Sequence, residues 1–149
     1  MTLGALRPGD WNLPLLVHVA GAMVLVAAVV VVLLAMAGAA RDRDGAAVLT
    51  RLGYRALLVG VIPSYLVMRV GAEWATSQEK VDAAGWVGIG RSVADGGLLL
   101  VLVGLYLAFR ASRRRPDGPG GLPRAVAAIM GVLLVAYVVA IWAMATKPA

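Results

Sequence analysis

The sequence predicts an all-α fold: a four-helix transmembrane bundle with up-down topology and both termini outside the cell. Three observations predict it. The 149 residues are 61% hydrophobic and 15% charged, and they contain four long apolar runs. A membrane-spanning helix needs about 20 such residues. Basic residues are concentrated in two of the connections between the runs, and tryptophans fall near the opposite ends of those runs. We treat residues 1–149 as a single integral membrane domain.

The four apolar runs predict four spans. The first run, from Leu13 to Ala37, carries no charge, and the fourth extends from Ala125 to about Ala145. All four are rich in Val, Leu and Ala and lack a polar alternation of period two, which favours helices over barrel strands. The predicted spans are residues 13–37, 54–75, 90–110 and 124–145.

The distribution of basic residues predicts the orientation of these spans. The first and third connections carry Arg41, Arg43, Arg51, Arg55, Arg110, Arg113, Arg114, Arg115 and Arg124. The middle connection and the termini offer mainly Lys80, Arg7 and Lys147. Cytoplasmic loops carry the excess of Lys and Arg, so both Arg-rich connections are expected in the cytoplasm. The same orientation aligns Trp11, Trp74, Trp86 and Trp142 in one outer aromatic belt. We therefore expect a multi-pass protein of the cell (inner or plasma) membrane.

The second span is too short unless it includes charged residues. Only thirteen uncharged residues separate Arg55 from Arg69. Counting about 20 residues from Ala56 brings Arg69 and Glu73 into the span or its outer interface.

The third span has the same shortage. Its charge-free run, from Gly96 to Phe109, is about 21 Å long as a helix. A full crossing therefore includes Arg91 and Asp95 as well.

These charges predict a polar cluster in the outer half of the membrane. Arg69 with Glu73, and Arg91 with Asp95, are spaced i,i+4, which puts each pair on one helix face. Tyr65 extends the face of Arg69 towards the membrane centre. The first span adds a histidine seven residues past Trp11, about 10 Å deeper. The predicted cluster consists of His18, Tyr65, Arg69, Glu73, Arg91 and Asp95.

Three interpretations of this cluster stay open. Two salt-bridged pairs would fix helix register in a purely structural role. Alternatively, ionisable residues within a membrane mark a ligand or ion site. In the third interpretation, the cluster is a surface that docks another subunit.

Two further features surround the cluster. Pro63 lies mid-membrane, where it should free the Val59 carbonyl and bend the second helix. Gly21 and Ala22, one turn from His18, suit close contact between helices.

Catalytic and metal motifs are not found. The chain has no cysteine and a single histidine, so it offers neither a thiolate site nor a zinc site. Glu73 and Asp95 each have an Arg four residues away, which argues against a general acid. We therefore expect no enzyme and no catalytic residue. The basic residues lie in short loops between apolar runs, so their partner is the lipid bilayer and not nucleic acid.

The segment LLVHVAGAMVLVAA, residues 15–28, resembles the first helix of small bacterial four-helix membrane proteins. Some of these are distantly similar to copper-resistance and b-type haem membrane families, in which a His of an HxxGA-like segment faces the bundle. The resemblance implies such a role for His18. Those haem proteins commonly use two or more His ligands, so here Met23, Met68, Met144 or a second copy's His18 would have to supply the other ligand. MRVGAEW and WVGIGRSVADGG also look like a family signature.

Three classes of function follow. The first is a non-enzymatic membrane protein, either an accessory subunit or a small binding protein with the outer polar cluster as its site. The second is a haem- or metal-binding redox protein centred on His18. The third is an oligomeric transporter of a small solute. No cofactor is favoured, with haem b as the alternative, and the chain is expected to form a homo-oligomer or to join a larger membrane complex.

Overall fold

The computed structural model of the chain describes residues 13–41, 44–79, 85–113 and 121–146, and these ranges are helical almost throughout, with no strand. The all-α prediction is confirmed. The helices are α1 (Leu13–Arg41), α2 (Ala46–Ala56), α3 (Ile62–Glu79), α4 (Gly85–Arg113) and α5 (Gly121–Thr146). A π-helical turn, Leu57–Val61, joins α2 to α3 without a break.

Four helical stretches are long and apolar enough to cross a membrane: Leu13–Arg41, Ala46–Ser77, Gly88–Arg113 and Gly121–Ala143. They indicate a multi-pass membrane protein with four spans. The helices continue beyond the predicted spans, most clearly in α2, which begins at Ala46 while the predicted span begins at residue 54. Arg51 and Arg55 are exposed on α2. A helix can therefore continue past these charges without burying them.

The interior of the bundle is formed by one face of each helix. α1 lies against α2, α3 and α5, and α4 lies against α5 and α2. Val29, Leu57, Val101 and Met130 are fully buried between them. The remaining faces carry exposed Val and Leu side chains, as expected of helices surrounded by lipid.

Two glycines bring the backbones of α1 and α3 into direct contact. A β-carbon added to Gly21 would lie 2.6 Å from the backbone nitrogen of Met68, and one added to Gly71 would lie 2.5 Å from that of His18. Neither position has room for a side chain. Gly21 faces Met68 while His18 faces Gly71, so the two helices run antiparallel. The sequence predicted a close contact at Gly21, but Gly71 was not among the residues singled out.

The π-helical turn lies directly before Pro63, where the sequence predicted a bend. Proline lacks an N–H and disturbs the hydrogen bonds of the preceding turn. The Ser64 hydroxyl donates to the Gly60 carbonyl at 2.6 Å and lies 3.1 Å from the Val61 carbonyl. A side chain therefore supplies a donor where the backbone of this turn is irregular, within an apolar span.

Candidate functional site

Four of the predicted cluster residues form one ion-pair network across α3 and α4. Arg69 lies 3.3 Å from Glu73 on its own helix and 3.1 Å from Asp95 on α4. The Arg91 guanidinium donates to the second carboxylate oxygen of Glu73 at 3.1 Å. The charges therefore alternate in the order Arg91, Glu73, Arg69, Asp95, and they sum to zero.

The pairing in this network differs from the pairing that the sequence predicted. Spacing alone suggested that each helix would pair its own residues, Arg69 with Glu73 and Arg91 with Asp95. The first of these pairs is present. In addition, Arg91 reaches Glu73 and Asp95 reaches Arg69, so the network also ties the two helices together.

The network spans a gap between helices. α2 and the π-helical turn pack against α4. Between α3 and α4, long side chains bridge the two helices. These side chains remain accessible: Arg69 is 28% exposed, Arg91 39%, Glu73 46% and Asp95 65%. Ion pairs this exposed contribute little to stability where they face water.

Tyr65 lies beneath the network, as the sequence predicted. Its ring is buried, and its hydroxyl donates to the Ala94 carbonyl at 3.3 Å, next to Asp95 in the chain. The bond connects α3 to α4 just below the ion pairs. Tyr65 therefore belongs to the same site but is shielded from its surface.

Tyr137 of α5 also belongs here, although the sequence analysis did not select it. Its side chain is 6% exposed, and its hydroxyl lies 3.4 Å from where a β-carbon on Gly97 of α4 would stand. Within the part of the chain that the structure describes, the Tyr137 hydroxyl is the buried side-chain polar atom with no hydrogen-bond partner. A buried, unpaired hydroxyl is costly.

A signal for Tyr137 was present in the sequence. It is a hydroxyl-bearing residue in an apolar helix, five residues before Trp142. That spacing puts it about 7.5 Å deeper than this belt tryptophan, at the depth expected for the cluster.

His18 has a different environment from the one predicted. Its Nδ1 lies 3.0 Å from the Met68 carbonyl of α3. Because a carbonyl only accepts, Nδ1 donates in this bond, and in a neutral ring Nε2 would then be an acceptor. The residue takes part in none of the three ion pairs. His18 thus lies on the seam between α1 and α3, held by the same close contact that involves Gly21 and Gly71.

The described residues offer little for a metal. His, Asp and Glu form no group of three among them that could hold one. Of the methionines considered as a second haem ligand, Met23 is 69% exposed and Met68 is buried beside Gly21. Met144 lies in the last turns of α5.

The two ends of the bundle differ in their side chains. Trp74, next to Glu73 in the chain, and Trp142, five residues beyond Tyr137, are both exposed. At the opposite end lie Arg41, Arg51, Arg55, Arg110, Arg113 and Arg124, all described as helical. The predicted positions Arg7, Trp11, Arg43, Lys80, Arg114, Arg115 and Lys147 lie outside the described residues, and Trp86 lies in the first turn of α4.

No protein-family model, curated protein or solved structure matches this chain. The resemblance of residues 15–28 to haem and copper-resistance families therefore stays a prediction. Function is argued from the geometry of the site.

Proposed function

We propose that the protein is a non-enzymatic binding protein of the cell membrane whose ligand site is the outer polar cluster between α3 and α4. The four spans pass up and down through the bilayer, with both termini outside the cytoplasm. The ligand is a small polar molecule, and catalysis is not part of the role. The lipid bilayer surrounds the bundle, and a homo-oligomer or a larger membrane complex is its working state.

The orientation is supported by the two ends of the bundle. Arginines are concentrated at one end, which corresponds to the cytoplasmic side in membrane proteins. Exposed Trp74 and Trp142 lie at the other end, where aromatic residues meet the headgroups. The ion-pair network shares the tryptophan end, so its accessible carboxylates and guanidiniums face outward.

The unpaired Tyr137 hydroxyl is the observation that carries the binding proposal. Ion pairs alone are compatible with a structural role, because they also fix helix register. A hydroxyl that is buried without a partner has no structural benefit. The hydroxyl faces Gly97, two residues from Asp95 on α4, so a site that reached it from the ion-pair network would offer a hydrogen bond and both signs of charge. Such a site suits a small solute that carries both donors and acceptors.

A second candidate function is a redox protein that uses His18. The observation in its favour is the fixed ring: a metal-binding histidine donates one ring N–H to a carbonyl or carboxylate and ligates through the other nitrogen. Here Nδ1 bonds to the Met68 carbonyl, and Nε2 is the ring nitrogen left to ligate. Haem b would also need a second axial ligand, so visible absorption of the purified protein distinguishes this candidate.

The binding proposal is tested by analysing what the protein retains. We would purify it from native membranes in lipid nanodiscs, extract small molecules and identify them by mass spectrometry. The test variant is Tyr137→Phe, and the control is Tyr106→Phe, since Tyr106 is 58% exposed on α4. We expect a polar molecule that is retained by the unchanged protein and by the control but lost from Tyr137→Phe. Equal recovery from all three, or no retained polar molecule at all, would contradict the proposal.

A further inference from the structure

The Arg-rich end of the bundle contains an aromatic seam between α2 and α4. The rings of Tyr54 and Phe109 lie with their centroids 6.0 Å apart, one from each helix. Phe109 is 38% exposed, so the seam reaches the surface of the bundle. It plays no part in the outer site.

Two arginines of α2 lie on the lipid-facing side of this seam. At 100° per residue, Arg51 and Arg55 are about 60° and 100° from Tyr54 around the helix. Gly53 is about 100° away in the other direction. It faces α1, because a β-carbon added to it would lie 2.7 Å from the Met36 side chain. Both arginines are exposed, and they therefore point away from α1 and along the outer side of α4.

Two arginines of α4 approach the seam from the other side. The Arg113 guanidinium stands 4.8 Å from the centroid of the Phe109 ring, and that of Arg110 stands 5.9 Å from the Tyr106 ring. Cation–π contacts of this length attract the guanidinium to the ring face. These two charges are thereby held at the level of the aromatic rings. α2 and α4 run antiparallel where Tyr54 meets Phe109. The arginines of both helices therefore lie on the same side of the seam, and all four border one groove.

The surroundings of the groove favour an amphipathic anion. The nearest described acid on the N-terminal side of α2 is Asp44, which lies before the helix and seven residues from Arg51. Leu58 and Leu102 lie about two turns or less deeper on the same side and are 39% and 48% exposed. The groove thus has a cationic rim at one level and an apolar wall towards the membrane centre.

We propose that this groove binds the headgroup of an anionic phospholipid in the leaflet at the Arg-rich end. Guanidinium groups match phosphate oxygens in charge and in bidentate geometry. Basic pockets between transmembrane helices recognise anionic headgroups in this way. The acyl chains then lie along Leu58 and Leu102. The inference is independent of the outer site and of its ligand.

The test measures lipid binding by native mass spectrometry of the purified protein with phosphatidylglycerol and with phosphatidylcholine. The double variant Arg55→Gln/Arg110→Gln removes one charge from each side of the groove. The control, Arg41→Gln/Arg124→Gln, removes the same net charge at the same end but outside the seam. At about 1 kcal/mol per arginine, the seam variant should bind phosphatidylglycerol about 30-fold more weakly.

We expect the unchanged protein to prefer phosphatidylglycerol over phosphatidylcholine and the control variant to keep that preference. Equal binding of the two lipids by the unchanged protein would overturn the proposal. So would a control variant that loses as much affinity as the seam variant, because the effect would then depend on total charge. Circular dichroism checks that each variant is helical, and the single variant Arg110→Gln replaces the double one if that fails to fold.

Discussion

Substituting Gly71 with alanine should separate α1 from α3. A β-carbon at this position would stand 2.5 Å from the His18 nitrogen and 2.8 Å from its α-carbon. Non-bonded heavy atoms prefer about 3.5–4.0 Å, so the helices would have to move apart by roughly 1 Å. The obstructing atoms belong to the backbone and cannot rotate away. The same movement would stretch the 3.0 Å bond between His18 and the Met68 carbonyl beyond hydrogen-bonding distance.

The expected cost combines three terms. Overpacking of this kind costs about 1–3 kcal/mol, and the lost hydrogen bond adds about 1 kcal/mol. Alanine in place of glycine within a helix stabilises the helix by about 0.5–1 kcal/mol, which offsets part of this cost. The net destabilisation of Gly71→Ala is therefore about 1–3.5 kcal/mol.

The assay is unfolding of the purified protein in nanodiscs, with Gly131→Ala as the matched control. A β-carbon on Gly131 meets no atom within 4 Å, so this change keeps the helix-propensity gain and has no steric cost. Gly131→Ala should be neutral or stabilising. If Gly71→Ala is as stable to unfolding as Gly131→Ala, then α1 and α3 are not in direct backbone contact.

Three further changes test the contacts around the site. Arg69→Leu and Glu73→Leu should each destabilise the protein by about 1 kcal/mol, because each leaves a charge with fewer partners. The double variant should be destabilised by less than the sum of the two single variants. Strictly additive losses of stability would show that the pair is not coupled. His18→Ala should remain folded and be destabilised by about 1 kcal/mol. The unchanged protein should be colourless. A Soret band that disappears in His18→Ala would instead favour the redox candidate. Ser64→Ala should destabilise the protein by about 1–2 kcal/mol, because it leaves the Gly60 carbonyl without this donor in an apolar span. The control Ser112→Ala removes a similar but exposed hydrogen bond and should destabilise the protein far less. Equal losses of stability would refute the role of Ser64 at the π-helical turn.

The helical class and the spans could be predicted from the sequence because they depend on composition along the chain. A run such as Leu13 to Ala37 has no alternative to a buried or lipid-facing helix. Counting residues at a fixed rise also predicted that Arg69 and Asp95 lie at the same level, where the structure pairs them at 3.1 Å. Depth is a one-dimensional property, and it can be read without knowing which helices are neighbours.

The partners of individual side chains could not be predicted, because they depend on how each helix is rotated about its axis. Spacing suggested that Arg91 would pair with Asp95, whereas its recorded ion pair is with Glu73 across the gap. His18 was grouped with the charges at similar depth, but its face turns to the Met68 carbonyl. Tyr137 was missed for the same reason: only the packing of α5 against α4 brings it under the network.

We propose that a charged, accessible site opens on the outer side of this four-span membrane protein. The chain contains no cysteine, so single cysteines can be introduced and labelled with a membrane-impermeant maleimide in intact cells. Asp95→Cys tests the network, and Arg124→Cys tests the Arg-rich end. We predict that Asp95→Cys is labelled in intact cells and that Arg124→Cys is labelled only after the membrane is permeabilised. Labelling in the reverse pattern, or protection of Asp95→Cys under both conditions, would contradict the account.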